Sequence, residues 1–117
     1  MRAALHAIIL MSMCNFQVLA ESADGYVVYC QDCKMLQLAF GTSMLKLLPE
    51  HFQEIAATVR LERVSRAECA AGNVKNVVVP IDEATMLCLT QTELGKIEDL
   101  FTEAAVMFET WEILDRW

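Results

Sequence analysis

The sequence predicts an α+β fold, an antiparallel sheet with two helices on one face in the order ββ-ββα-ββα. Three patterns lead there. Short apolar runs bounded by turn signals read as strands, and two stretches with apolar residues three and four apart read as helices. The two strand-to-helix passages also repeat each other at an offset of 42 residues: Ser43-Met44-Leu45-Lys46-Leu47 aligns with Thr85-Met86-Leu87-Cys88-Leu89, and Phe52, Ile55 and Val59 align with Leu94, Ile97 and Phe101. A lone strand-strand-helix unit cannot cover both faces of its apolar elements, so two such units are expected around one core.

The elements follow in chain order. Phe16 and Val18 fall on one face of a strand beginning at Cys14, with Leu19 on the other; Ala23-Asp24-Gly25 is a turn signal, and Tyr26-Val27-Val28-Tyr29 completes a hairpin. Cys30-Gln31-Asp32-Cys33 leads into the apolar run Met35 to Phe40, the turn Gly41-Thr42 and a short strand from Ser43 to Leu48. Pro49 suits a first helical turn, where its missing N–H is not needed, and Glu50 favours the positive end of the helix dipole. Phe52, Ile55, Ala56 and Val59 form the buried stripe of this helix, which should fade near Val64. The polar stretch from Ser65 to Lys75 reads as the longest loop. Val77 to Ile81 is a strand whose Pro80 belongs at a sheet edge, and Met86 to Leu89 is the next. Thr90-Gln91-Thr92-Glu93 is a capping box that starts the final helix.

Size and charge bound the function. The chain has 117 residues, 56% of them hydrophobic, which is one domain large enough to hold a core without disulfides or metal. Nine basic against sixteen acidic residues give a net charge of -7, so a nucleic acid would meet repulsion over most of the surface. No nucleic-acid partner is expected. Five cysteines are an odd number, too few for a disulfide scaffold, and point to reduced thiols in a cytoplasm. Residues 1–12 are an extension or a leader, and residues 13–117 the single α+β domain. The stretch 1–20 has the outline of a secretory signal ending at Val18-Leu19-Ala20, which leaves secretion as the alternative location. Cleavage after Ala20 would delete the first strand and leave an unpaired edge, which argues against it. No apolar run approaches the roughly 20 residues of a membrane span, so no membrane partner is expected.

Cys30-x-x-Cys33 is the most specific local signal. Thiolates three apart can converge on one tetrahedral zinc, which needs further Cys or His ligands. Cys14 is a candidate third, because the first hairpin brings residue 14 beside residues 33 to 35; Cys69 is a candidate fourth. The competing reading is that these cysteines simply pack as small hydrophobes, and it is preferred because no histidine is well placed to complete the shell. No cofactor is therefore expected, zinc being the one ion the cysteines could hold. A redox role is weaker still, since the pair lies between strands with Asp32 inside it. Catalysis finds little support: His51 reads as a solvent-facing residue of a first helical turn, and the isolated Gly25, Gly41, Gly72 and Gly95 make no phosphate-cradling loop.

The final helix carries another kind of signal. Leu94, Ile97, Phe101, Ala104, Phe108 and Trp111 form a core stripe, while Met107, Ile113, Leu114 and Trp117 spread beyond it. Such a segment needs a second surface, either residues 1–12 or another copy of the chain through Met107, Trp111, Leu114 and Trp117. Arg60, Arg63, Arg66 and Lys75 form the one basic cluster, and it could meet the acidic face of the final helix across such a contact.

Several of these features together resemble an uncharacterised family of small bacterial proteins: Met13-Cys14, Gly25, the Cys30-x-x-Cys33 pair, Leu38-x-Phe40, the Phe52 helix, Val78-Val79-Pro80, and Met86 to Leu89 leading into a helix. The resemblance covers residues 13 to 105. It implies Met13 as the working start and a cytoplasmic location, and it makes Cys14, Cys30 and Cys33 the positions to test first. It implies no activity. The function expected is a non-enzymatic interaction module, homodimeric through its last helix; the alternative is a small zinc-binding or thiol-redox protein using Cys14, Cys30 and Cys33.

Overall fold

A computed structural model describes residues 15–65 and 74–115. Six strands and two helices succeed one another as β1 (Phe16–Glu21), β2 (Gly25–Cys30), β3 (Met35–Phe40), β4 (Ser43–Leu47), α1 (Pro49–Ser65), β5 (Val77–Pro80), β6 (Met86–Leu89) and α2 (Gln91–Asp115). The class is the α+β one expected. The single sheet is not: β1 to β4 form a four-stranded antiparallel meander, and β5 pairs only with β6 in a separate two-stranded ribbon. The reason lies in the core. Val77, Val79, Leu87 and Leu89 on the ribbon's inner side join one apolar cluster with Leu36, Leu38, Phe40 and Leu47 of the sheet, so the ribbon is held by side-chain burial and needs no hydrogen bonds to β4.

Both helices turn a full stripe into that cluster. Phe52, Ile55 and Val59 of α1 and Leu94, Ile97 and Phe101 of α2 are all buried, and the Phe52 and Phe101 rings meet at 4.9 Å between centroids. The 42-residue repeat thus holds in three dimensions. Leu47 and Leu89 face inward at matching places, while Met44 and Met86 face outward. The halves differ where α2 begins. The Glu93 N–H donates to Thr90 Oγ1 at 3.0 Å and the Thr90 N–H donates to the Glu93 carboxylate at 2.9 Å, the reciprocal capping pair the sequence predicts. Leu48, just before α1, and His51, in its first turn, stand at the equivalent positions.

Two backbone details shape the sheet. In β1 the register shifts between Val18, which pairs with Val28, and Ala20, which pairs with Val27, so that Leu19 is the extra residue of a bulge; Leu19 and Ala20 are both buried in the core cluster. Gly25 starts β2 where a Cβ would stand 2.0 Å from the Ala39 carbonyl oxygen, a spacing only glycine permits. β2 is buried along its whole length. Val27 and Tyr29 belong to the helix side, while Tyr26 and Val28 pack with Phe16, Val18 and Ala39 in a smaller cluster on the sheet's other face.

Candidate functional site

Two places gather the residues that the sequence singles out. The first is the corner where β2 turns into β3. Cys30 closes β2 and is buried; Cys33 stands exposed in the turn. The Lys34 N–H donates to the Cys30 carbonyl at 2.9 Å, and Lys34 has φ +62°, a left-handed backbone unusual for a residue with a side chain. This tight turn points the Cys33 N–H at Cys30 Sγ, 3.3 Å away. Asn15, just before β1, clamps the turn from the neighbouring strand. Its N–H donates to Asp32 Oδ2 at 3.0 Å, its carbonyl accepts from the Gln31 N–H at 3.0 Å, and its side-chain amide donates to Gln31 Oε1 at 3.2 Å. Cys14 and Cys69 themselves lie outside the described residues, and among those described no three potential ligands cluster. Cys88 is exposed on β6, beside the turn at the far end of β3.

The second place is the outer side of α2. Val106, Met107, Ile113 and Leu114 are 58%, 42%, 51% and 67% exposed. They lie opposite the core stripe of Ile97, Ala104 and Phe108, with Thr110 between them. Val106, Thr110 and Ile113 stand at i, i+4 and i+7, the spacing of a helix-to-helix seam. An open groove lined by Val18 to Glu21, Glu103 and Met107 continues this patch to the free edge of the sheet.

Trp111 does not belong to it. Its ring packs on Tyr29 at 5.2 Å, next to Phe108 at 4.9 Å from the same ring, so it extends the core stripe and not the expected contact surface. Trp117 and the extension 1–12 lie outside the described residues. Val106 is the stripe residue that sequence reasoning passed over, although its spacing to Ile113 was the available signal.

The basic cluster is also used differently. Arg63 pairs with Glu98 and, at 3.3 Å, with Asp99, and Lys75 pairs with Glu93 at 2.5 Å. These cations meet the acidic face of α2 within one chain, which removes them as the electrostatic half of a contact between chains. Arg66 lies outside the described residues. The Lys75 ammonium, then the Thr90 N–H, hold the Glu93 carboxyl below its usual range, and Glu98 raises the Arg63 guanidinium further. His51 is not solvent-facing either: it is half-buried, and its Nε2–H donates to the Ile81 carbonyl at 2.5 Å, tying α1 to the end of β5.

Fold and site together define a small α+β protein of two matched strand-strand-helix halves, with a cysteine turn at one corner and an apolar stripe on the outside of its last helix. The chain belongs to the family of unknown function DUF6686, whose model matches residues 13–115. That match extends ten residues past the segment on which the sequence resemblance rested and takes in the apolar stripe. No curated protein and no solved structure matches the chain. No helix among the described residues is long and apolar enough to cross a membrane.

Proposed function

We propose that this protein is an interaction module that associates with a second copy of itself through the outer stripe of α2. The observation that carries the reading is that the last turns of α2 are apolar on both sides. Phe108 and Trp111 face the core, and Val106, Met107, Ile113 and Leu114 face away from it. Among the described residues these four large apolar side chains stay outside the core cluster, and covering them removes that area from water. A second copy suits it because a two-fold contact needs only a self-complementary patch. An antiparallel pairing centred on Thr110 sets Val106 of one copy against Leu114 of the other, and Met107 against Ile113. Charge supports the same choice of contact residues: Glu109 and Glu112 lie to one side of the seam, so the apolar strip can meet its copy without opposing carboxylates at its centre.

Native mass spectrometry across a dilution series tests the reading. The expected result is a dimer that gives way to monomer on dilution, with Val106→Lys monomeric at every concentration and unchanged in thermal midpoint at the lowest one. A wild-type chain that stays monomeric throughout, or a Val106→Lys variant that dimerises equally well, would overturn it.

A further inference from the structure

We propose that the groove between the free edge of β1 and α2 binds an extended segment of a partner protein, one that alternates basic with apolar residues and adds to the sheet as a fifth strand. The inference does not rest on self-association, although Met107 borders both surfaces. It begins from a contrast between the two edges of the four-stranded sheet, which ends in β1 on one side and β4 on the other. An open edge is a row of unpaired N–H and C=O groups, and charged side chains, above all lysine, commonly block it. β4 carries the exposed Lys46, whereas β1, from Phe16 to Glu21, carries neither lysine nor proline.

The backbone sets where a strand can add. The Asn15 carbonyl accepts from the Gln31 N–H, so Asn15 and, by alternation, Gln17 turn their polar backbone groups toward β2, while Phe16 and Val18 turn theirs to the free edge. The bulge at Leu19 interrupts the alternation and confines regular pairing to the stretch before it. Side chains of an added strand alternate between the two faces as those of β1 do. On one face they extend the outer cluster, where Phe16 and Val18 are only partly buried against Tyr26 and Val28. Apolar residues suit that face.

The other face opens on the groove. It holds about 480 Å³ between Val18 to Glu21 and the α2 residues Glu103 and Met107, within the roughly 300 to 1,000 Å³ of clefts that hold ligands. A smaller recess lined by Asp24, Lys96, Asp99 and Leu100 shares Glu103 with it. Along the two, Glu21, Asp24, Asp99 and Glu103 stand against one ammonium, that of Lys96, which lies 3.5 Å from Asp24. Lysine and arginine suit this face, since Met107 can cover an aliphatic stem while the charged head reaches the exposed Glu103. The chain's net charge of -7 also favours the approach of a basic segment.

Fluorescence anisotropy of a short labelled peptide alternating lysine with valine, titrated with the full chain, tests the proposal. Saturable binding is expected. It should be absent for a peptide alternating glutamate with valine, and for a fully N-methylated lysine–valine peptide, which cannot donate to the edge. Glu103→Lys should weaken binding roughly tenfold or more, as a like charge across a contact does. Glu54→Lys, the same change at an exposed position of α1, should leave it nearly unchanged. Ile113→Lys, which separates two copies joined by the α2 stripe, should bind as the wild type does, so failure of the dimer reading and failure of this one are told apart. Thermal midpoints show that each variant is folded. No binding to the wild-type chain, the outcome if a second copy's β1 or another stretch of this chain fills the groove, would overturn the proposal. So would equal binding of the glutamate or the N-methylated peptide, or undiminished binding by Glu103→Lys.

Discussion

The first strand-strand-helix half, β3 to α1, and the second, β5 to α2, present nearly the same inner surface and quite different outer ones. Inside, the triplets Phe52, Ile55, Val59 and Leu94, Ile97, Phe101 are equally buried. Outside, the first half is extended by β1 and β2 into a four-stranded sheet that ends in the cysteine turn, while the second keeps a two-stranded ribbon and lengthens its helix from 17 to 25 residues. A shared core constrains both halves alike, because losing any of its large side chains opens a cavity. The additions face no such constraint. It is in them that the unusual features collect: the left-handed Lys34 on one side and the apolar stripe on the other.

The largest expected effect tests whether the inner surfaces are equivalent. Phe52→Ala and Phe101→Ala should each cost about 3 to 5 kcal/mol, the usual penalty for a buried aromatic. Because the rings touch at 4.9 Å, the double variant should cost less than the sum by about 0.5 to 1.5 kcal/mol. Urea unfolding that gives under about 1 kcal/mol for either, far below that range, would break the equivalence. Next comes the join between the first half and its extension. Gly25→Ala forces a Cβ against the Ala39 carbonyl and should cost about 1 to 3 kcal/mol, as overpacking does. A neutral outcome would mean that β2 and β3 separate easily.

A smaller effect sharpens the contrast between the helix starts. Thr90→Ala removes a cap and should cost about 1 kcal/mol, while Leu48→Thr, at the equivalent position before α1, should gain part of that amount. The smallest effect is in pH. Glu93 has its carboxyl held below the ordinary value of 4.5, chiefly by Lys75, so its contribution to stability is present above that value and is lost as pH falls through the lower folded one. Lys75→Met should raise the carbon-detected titration midpoint of Glu93 toward its ordinary value. A midpoint that does not move would show that the Thr90 cap alone sets it.

Much of the inner surface was legible in the sequence, because helix periodicity and the capping box are local. Phe52, Ile55, Leu94 and Ile97 announce their faces by spacing alone, and Thr90 with Glu93 announces the start of α2. The division into two sheets was not legible: β4 and β5 are separated by α1 and a long connection, and nothing local says whether two distant strands pair or merely share a core. The bulge at Leu19 and Ala20 was hidden for a related reason, since only the partner strand reveals that two successive residues face inward. Trp111 answers to both expectations, the core stripe and the contact surface, and its spacing decides between them: one turn beyond Phe108 it reaches Tyr29 and closes the core.

At the cysteine corner the spacing Cys30-x-x-Cys33 was visible, but neither the positive φ of Lys34 nor the Asn15 clamp could be read from residue types.

The central claim is that an exposed apolar residue matters on the outside of α2 and not on the outside of α1. Leu61 provides the control, since it is 71% exposed on α1 with one exposed large apolar neighbour at helical spacing, Val64, so that the two make a pair and not a stripe. Sedimentation velocity on Ile113→Lys and Leu61→Lys, run at one concentration beside the wild-type chain, makes the comparison directly. The account predicts a dimer for wild type and for Leu61→Lys, and a monomer for Ile113→Lys. Equal sedimentation of all three would contradict it.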